Sequence, residues 1–163
     1  MTGPTSGRLM GGCEPAHRAP GRIRLLCMSF EYEHTVTTTA TPGDVWALWS
    51  NVGCWHRWDP AVDQVAIEGH FGEGAAGTLV LTSGVEAPFI LEIVEPCARY
   101  LDRVTLGDLV VRIDHQVKET AEGSEITVRT TIEGPAAEEV GPMVTADTPR
   151  ALETLVAMAE KRP

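Results

Sequence analysis

The sequence is poor in basic residues. Lysine and arginine together number 13 against 23 aspartates and glutamates, which gives a formal net charge of -10. Nonspecific binding to nucleic acids comes mainly from lysine and arginine side chains that displace counterions, so a chain with this charge repels a phosphate backbone. We therefore exclude nucleic acids and anionic membrane surfaces as expected partners.

Long hydrophobic runs are also lacking. A run such as residues 23–28 is interrupted by Arg24 and falls far short of the roughly 20 apolar residues of a membrane-spanning helix. A secretory signal needs a continuous apolar stretch of roughly 7 to 15 residues after a basic start, and the opening residues do not supply one. We predict no membrane insertion and a cytoplasmic location.

Cysteine is scarce and scattered. Cys13, Cys27, Cys54 and Cys97 form no C-x-x-C pair, and no histidine lies near them at the spacing of a zinc site. We interpret all four as free thiols and predict a protein that uses no metal and no cofactor.

The first 27 residues differ from the remainder. They are rich in glycine and proline and have almost no apolar periodicity, so they bury too little surface to offset the entropy lost on ordering. We predict a disordered extension over residues 1–27. The remaining length suits one domain, which we place at residues 28–163.

Alternation of apolar and polar residues predicts seven strands. The first strand covers residues 30–39, which alternate with the period of a half-buried strand. Turn residues separate the later strands, as in an antiparallel meander. We place these at residues 62–69, 78–82, 89–95, 100–106, 109–119 and 124–133. The last two alternate most clearly and form a hairpin with one buried face.

Helical spacing appears in two parts of the chain. Thr41 and Pro42 have the residue types of an N-cap and a first helical position, and two short helices follow the first strand up to Trp58. After residue 135 the apolar spacing becomes helical again, up to the stripe Leu152, Leu155 and Val156. Pro149 predicts that this C-terminal helix is either two pieces or sharply bent. One helix facing one half-apolar sheet makes an α+β domain.

This order of elements resembles the helix-grip architecture of the START/Bet v 1-like (SRPBCC) superfamily, and within it the polyketide cyclase/dehydrase-like family. The residues that carry the likeness are 41–46, 55–60, 69–77, Glu95-Pro96, the strand of His115, and Gly134-Pro135. The resemblance implies a curved antiparallel sheet wrapped around a long C-terminal helix, with two short helices after the first strand. It also implies a cavity between sheet and helix, which in various relatives holds lipids, sterols or aromatic polyketides. Only some of those relatives are enzymes.

Candidate catalytic residues lie on three of the predicted strands. His115 falls on the apolar face of its strand, where a buried imidazole suits general acid/base chemistry in aldol cyclisation or dehydration. The alternative is a histidine hydrogen-bonded within the core. Tyr32 and Tyr100 are candidates to orient a ligand oxygen or stabilise an enolate.

Candidate ligand-binding residues are mostly apolar or aromatic, because aromatic walls suit a flat apolar guest. They are His34, Trp55, Trp58, Phe89, Leu91, Val111, Ile113, Met143 and Leu152. For most of them, plain packing in the core is the competing interpretation.

Three hypotheses about function follow. The first is binding of one small hydrophobic ligand, aromatic polyketide-like or lipid-like, by a monomer or homodimer. The alternative is a polyketide cyclase/dehydratase that uses His115 as general acid/base. A third, weaker hypothesis is a protein-binding module, which needs an exposed apolar patch. The ligand-binding hypothesis depends on an unfilled gap between two apolar surfaces. These are the apolar face of residues 109–117 and the stripe Leu152, Leu155 and Val156.

Overall fold

The computed structural model describes residues 28–163, so the predicted extension over residues 1–27 lies outside the described residues. One antiparallel sheet contains seven strands in the order β1-β7-β6-β5-β4-β3-β2. The strands are β1 Ser29–Thr38, β2 Val62–Ile67, β3 Ala76–Leu81, β4 Glu86–Glu95, β5 Arg99–Leu106, β6 Leu109–Thr120 and β7 Gly123–Glu133. The helices are α1 Pro42–Trp49, a 3₁₀ turn Val52–Cys54, α2 Trp55–Trp58, α3 Ala137–Val144 and α4 Thr148–Ala159. The predicted helix-grip fold is confirmed.

The helices cover one side of the sheet, which we call the inner face. Strand pairing places His34 beside Val128, and Val128 beside His115, so these three side chains share the inner face. The opposite, outer face carries ion pairs such as Arg99–Asp114 and Arg103–Glu92. Among the described residues, no helix is both long and apolar enough to cross a bilayer.

Helix α1 begins as the sequence predicts. The Thr41 hydroxyl accepts a hydrogen bond from the Asp44 backbone N–H, and the Asp44 carboxylate accepts one from the Thr41 backbone N–H. This reciprocal cap satisfies two backbone donors that the helix itself leaves unpaired. It fixes the start of α1, and Trp49 at the other end of this helix is buried.

The C-terminal helix is in two pieces, one of the two forms that the sequence allows. Helix α4 packs on β1, α1 and α2, whereas α1 approaches β6. The gap that the sequence predicts between β6 and the stripe Leu152, Leu155 and Val156 of α4 is therefore not found. Trp49 of α1 lies over His115 of β6, with ring centroids 5.7 Å apart.

Gly141 allows α3 to pack closely on β1. A Cβ atom at this position would overlap the ring of Phe30. We therefore expect Gly141→Ala to lower the free energy of unfolding by about 1–3 kcal/mol, as overpacked cores do. Gly43→Ala in α1 is the matched control, because its Cβ atom would meet only the Thr41 hydroxyl, at 3.7 Å. Urea unfolding measures both variants, and equal effects on stability would contradict the close packing.

Candidate functional site

Aromatic side chains fill the space between the inner face and the helices. Tyr100 of β5 lies at their centre, 5.4 Å from Trp49, 5.9 Å from Trp55 and 5.4 Å from Phe71 between ring centroids. Trp55 is buried, and Phe89, also buried, lies beside it. We call Trp46, Trp49, Trp55, Phe71 and Tyr100 the aromatic cluster.

A buried acid and a buried imidazole lie beside the aromatic cluster. Tyr100 pairs with His115 across β5 and β6, and the two rings stack in parallel with centroids 4.0 Å apart. Asp102, two residues further along β5, places its Oδ1 atom 3.6 Å from His115 Nδ1. Only 2% of Asp102 and 8% of His115 is exposed.

Neither atom of this pair has a hydrogen-bond partner among the described residues. A separation of 3.6 Å is too long for a hydrogen bond between them. Buried polar atoms are nearly always paired, and an unpaired one destabilises the fold by roughly 1–3 kcal/mol. The Asp102–His115 pair is therefore a candidate for interaction with a bound molecule.

Burial controls the protonation of both groups. It raises the pKa of Asp102 from 3.8 to about 7, with the charge of Asp59 adding to the effect. It lowers the pKa of His115 from 6.5 to about 4. Both groups are therefore uncharged between about pH 4 and pH 7 and do not form an ion pair, although their distance would allow one. Near neutral pH, Asp102 is present both as acid and as carboxylate.

Burial also shifts the pKa values of the surrounding titratable groups. Burial raises the pKa of Tyr100 well above its ordinary value, so it stays a phenol. Burial likewise raises the pKa of Asp59. Among the described residues, no group of three or more histidines, cysteines or acids could hold a metal ion.

Several predicted site residues lie on a less covered part of the inner face. Tyr32 and His34 are half-buried on β1 with parallel rings 6.5 Å apart. His34 and His115 have Val128 between them in the strand register, which corresponds to about 10 Å. Ile113 is also half-buried and pairs directly with Asp102. We call Tyr32, His34 and Ile113 the open inner face.

The other predicted ligand contacts are divided between core and surface. Fully packed core positions are occupied by Trp55, Trp58, Phe89, Leu91, Val111 and Leu152. Met143 is 73% exposed, so in this structure it does not line the interior as the sequence analysis expects. The reason is its position within α3, whose buried residues are Ala137 and Gly141. With about 3.6 residues per turn, Met143 lies on the opposite side of this helix.

Two grooves lie elsewhere on the molecule. One, of about 440 Å³, is on the outer face and is lined in part by Pro88, Ile90 and Arg103. The other, of about 480 Å³, lies beside residues 37–39 and Glu160. Neither lies between the inner face and α4, where the sequence analysis expects a cavity. The aromatic cluster occupies that space.

Sequence reasoning did not single out Asp102 or Phe71. Asp102 had a signal, because Tyr100, Asp102 and Val104 alternate with Leu101 and Arg103 and so share the inner face. Phe71 had none, because it lies in a glycine-rich connection without periodicity. Only the folded chain brings its ring beside Tyr100.

Structure comparison finds similar folds at low sequence identity. The di-domain ARO/CYC StfQ from the steffimycin biosynthetic pathway has a TM-score of 0.70 and 14% identity over 82% of this chain and 51% of its own. Ara h 8.0201 has a TM-score of 0.66 and 15% identity over 83% and 100%. A truncated norcoclaurine synthase from Thalictrum flavum has a TM-score of 0.66 and 15% identity over 84% and 97%.

These likenesses show the fold alone, and the chain spans about half the length of the di-domain protein. The search of curated proteins gave no match. A family described as polyketide cyclase / dehydrase and lipid transport matches residues 29–160. That match covers most of the chain, which therefore belongs to this family.

Proposed function

We propose that this protein binds one small hydrophobic ligand, aromatic polyketide-like or lipid-like, against the open inner face of its sheet. The observation that carries the proposal is the Asp102–His115 pair, whose facing atoms are buried without partners. A polar group of a ligand would satisfy both atoms and recover the stability that they forfeit. Membership of a family that includes polyketide cyclases and lipid transport proteins supports the same function.

Ile113 connects the open inner face to this polar pair. It is half-buried, although its strand neighbours Asp102 and Thr130 are almost fully buried. Directly opposed residues on one face have Cβ atoms about 4.5–5.5 Å apart. A ligand that covers Ile113 therefore brings an oxygen substituent within reach of Asp102.

Ligand titration tests this proposal. The probe is 2-acetylnaphthalene, which combines a flat apolar body with one carbonyl oxygen, and its binding is followed by tryptophan fluorescence and calorimetry. We expect Ile113→Gln to weaken binding about 10-fold or more, a loss of roughly 1.4 kcal/mol, because the ligand would cover a polar amide instead of an apolar side chain. Ile90→Gln, on the outer face and 36% exposed, is the matched control.

The expected result is binding by the parent protein and by Ile90→Gln, with weaker binding by Ile113→Gln. Circular dichroism and thermal melting verify that each variant is folded. A parent protein that does not bind the probe, or two variants with the same affinity, would overturn the proposal.

A second candidate function is a cyclase/dehydratase, which the raised pKa of Asp102 favours. A carboxyl group that titrates near pH 7 is suited to accept and return a proton. His115 has a pKa of about 4, so its neutral imidazole acts as a hydrogen-bond donor to a carbonyl oxygen and Asp102 transfers the proton. This assignment moves the acid/base role from His115 to Asp102.

A further inference from the structure

Phe71 is the one member of the aromatic cluster that lies on a loop. It belongs to the connection between β2 and β3, yet its ring makes edge contacts with Trp46, Trp55 and Tyr100 at centroid distances of 5.8, 6.3 and 5.4 Å. Trp55 and Tyr100 are buried, whereas Phe71 is half-buried. The ring therefore closes the aromatic cluster on the side that faces solvent.

Few interactions hold this loop. Among the described residues, no backbone N–H from residues 69–73 donates to another backbone group, and the carbonyl of Gly72 accepts one bond, from Ala75. The ends are fixed, since Glu68 donates to Ala76 and Gly74 to Leu91. Gly69 and Gly74 have φ of +78° and +82°, a region that glycine enters without strain. An outward rotation of residues 69–73 would break little regular structure.

We propose that Phe71 occupies a ligand subsite, formed by Trp46, Trp55 and Tyr100, that takes one flat aromatic ring of the bound molecule when Phe71 swings out. This inference rests on the proposed function and narrows its ligand class to aromatic compounds. Aromatic rings prefer edge-to-face and offset contacts at centroid distances of about 4.5–7 Å. A ligand ring can reproduce each contact that Phe71 makes, and an aliphatic chain cannot.

The position of the subsite fits the polar pair. Tyr100 contacts Phe71 by one edge and also stacks on His115. A ligand ring in the place of Phe71 is therefore separated from His115 and Asp102 by the ring of Tyr100. Displacement of Phe71 also explains how a protein whose interior is filled with side chains accommodates a ligand, because the ligand ring replaces a ring that is already present.

Fluorine NMR on the full chain tests the displacement directly. The chain has three phenylalanines, and 4-fluorophenylalanine labels all of them. The Phe71→Leu variant assigns the Phe71 resonance by its loss. On saturation with 2-acetylnaphthalene we expect the Phe71 resonance to move to the solvent-exposed position while the Phe89 resonance stays in the buried range. Binding without movement of the Phe71 resonance would overturn the inference.

Affinity provides a second measurement. Phe71→Ala removes the competing ring, so we expect it to bind 2-acetylnaphthalene about 10-fold more tightly than the parent protein, and decanol with no comparable gain. Phe30→Ala is the matched control, because Phe30 is also half-buried but packs on α3. No gain, or an equal gain for decanol, counts against the subsite. If the subsite fails this test but the parent protein binds 2-acetylnaphthalene in a way that depends on Ile113, the proposed function stands. If the parent protein does not bind 2-acetylnaphthalene at all, the subsite and the proposed function both fail.

Discussion

The Asp102→Asn variant is expected to gain stability relative to the parent protein as the pH rises from about 4.5 to about 7, by on the order of 3 kcal/mol. Burial raises the pKa of Asp102 from 3.8 to about 7 in the folded protein. Across this window the folded protein holds a proton that the unfolded chain has lost. Rising pH therefore lowers the stability of the parent protein through Asp102. The Asp102→Asn variant does not lose this stability, because asparagine does not titrate.

The His115→Gln variant is expected to show the opposite sign. Burial lowers the pKa of His115 from 6.5 to about 4, so between these values the unfolded chain binds a proton that the folded protein does not. The parent protein therefore gains stability from His115 as the pH rises. His115→Gln loses that dependence, and its advantage over the parent is on the order of 2–3 kcal/mol near pH 4.5 and disappears near pH 7.

Urea unfolding at several pH values measures both effects. In the parent protein the two contributions oppose each other between about pH 4 and pH 6.5, so each single variant exposes the slope of the remaining group. The charge of Asp59 raises the pKa of Asp102, and that of Asp114 raises the pKa of His115. Each substitution also removes that coupling, so the difference from the parent protein reports the substituted group together with its charged neighbour. Stability curves of both variants that run parallel to the parent curve would show that the pair does not titrate as described.

The strands could be predicted because their pattern is local. Residues 109–119 and 124–133 alternate strictly, and the structure has β6 and β7 within one residue of those bounds. The start of β4 was less accurate, at residue 89 instead of Glu86. Pro88 interrupts the pattern because it has no N–H to donate, yet here it occupies an outward position opposite Thr78.

The site could be predicted only in part, because it depends on how distant segments pack. Alternation predicts His115 on the inner face, and the structure stacks the ring of Tyr100, a separately predicted site residue, on its ring. No local pattern indicates that Trp49 and Phe71 converge on Tyr100 from a helix and a loop. Helical spacing predicts an inward Met143, but Ala137 and Gly141 form the buried side of α3 and Met143 lies on the opposite, exposed side.

If the site performs chemistry, Asp102 has the largest effect on its rate. Ionised Asp102 removes an α-proton from a bound poly-β-ketone, and the C–H electron pair forms an enolate whose oxygen accepts a hydrogen bond from the neutral imidazole of His115. The enolate carbon then attacks a second carbonyl carbon of the ligand. The new C–C bond leaves an alkoxide, which takes the proton back from Asp102, so that the carboxylate is restored.

Asp102→Asn is therefore expected to lower kcat/KM for a linear poly-β-ketone analogue by roughly 10²–10⁴-fold, the usual contribution of a general base. Affinity for 2-acetylnaphthalene should change far less, because asparagine keeps the shape of the side chain. In the parent protein kcat/KM should rise with pH around a midpoint near 7, where Asp102 ionises. Glu92→Gln, which changes an outer-face carboxylate bound to Arg103, is the control. Turnover that survives in Asp102→Asn, or that is independent of pH between about 6 and 8, would leave ligand binding as the function of the pair.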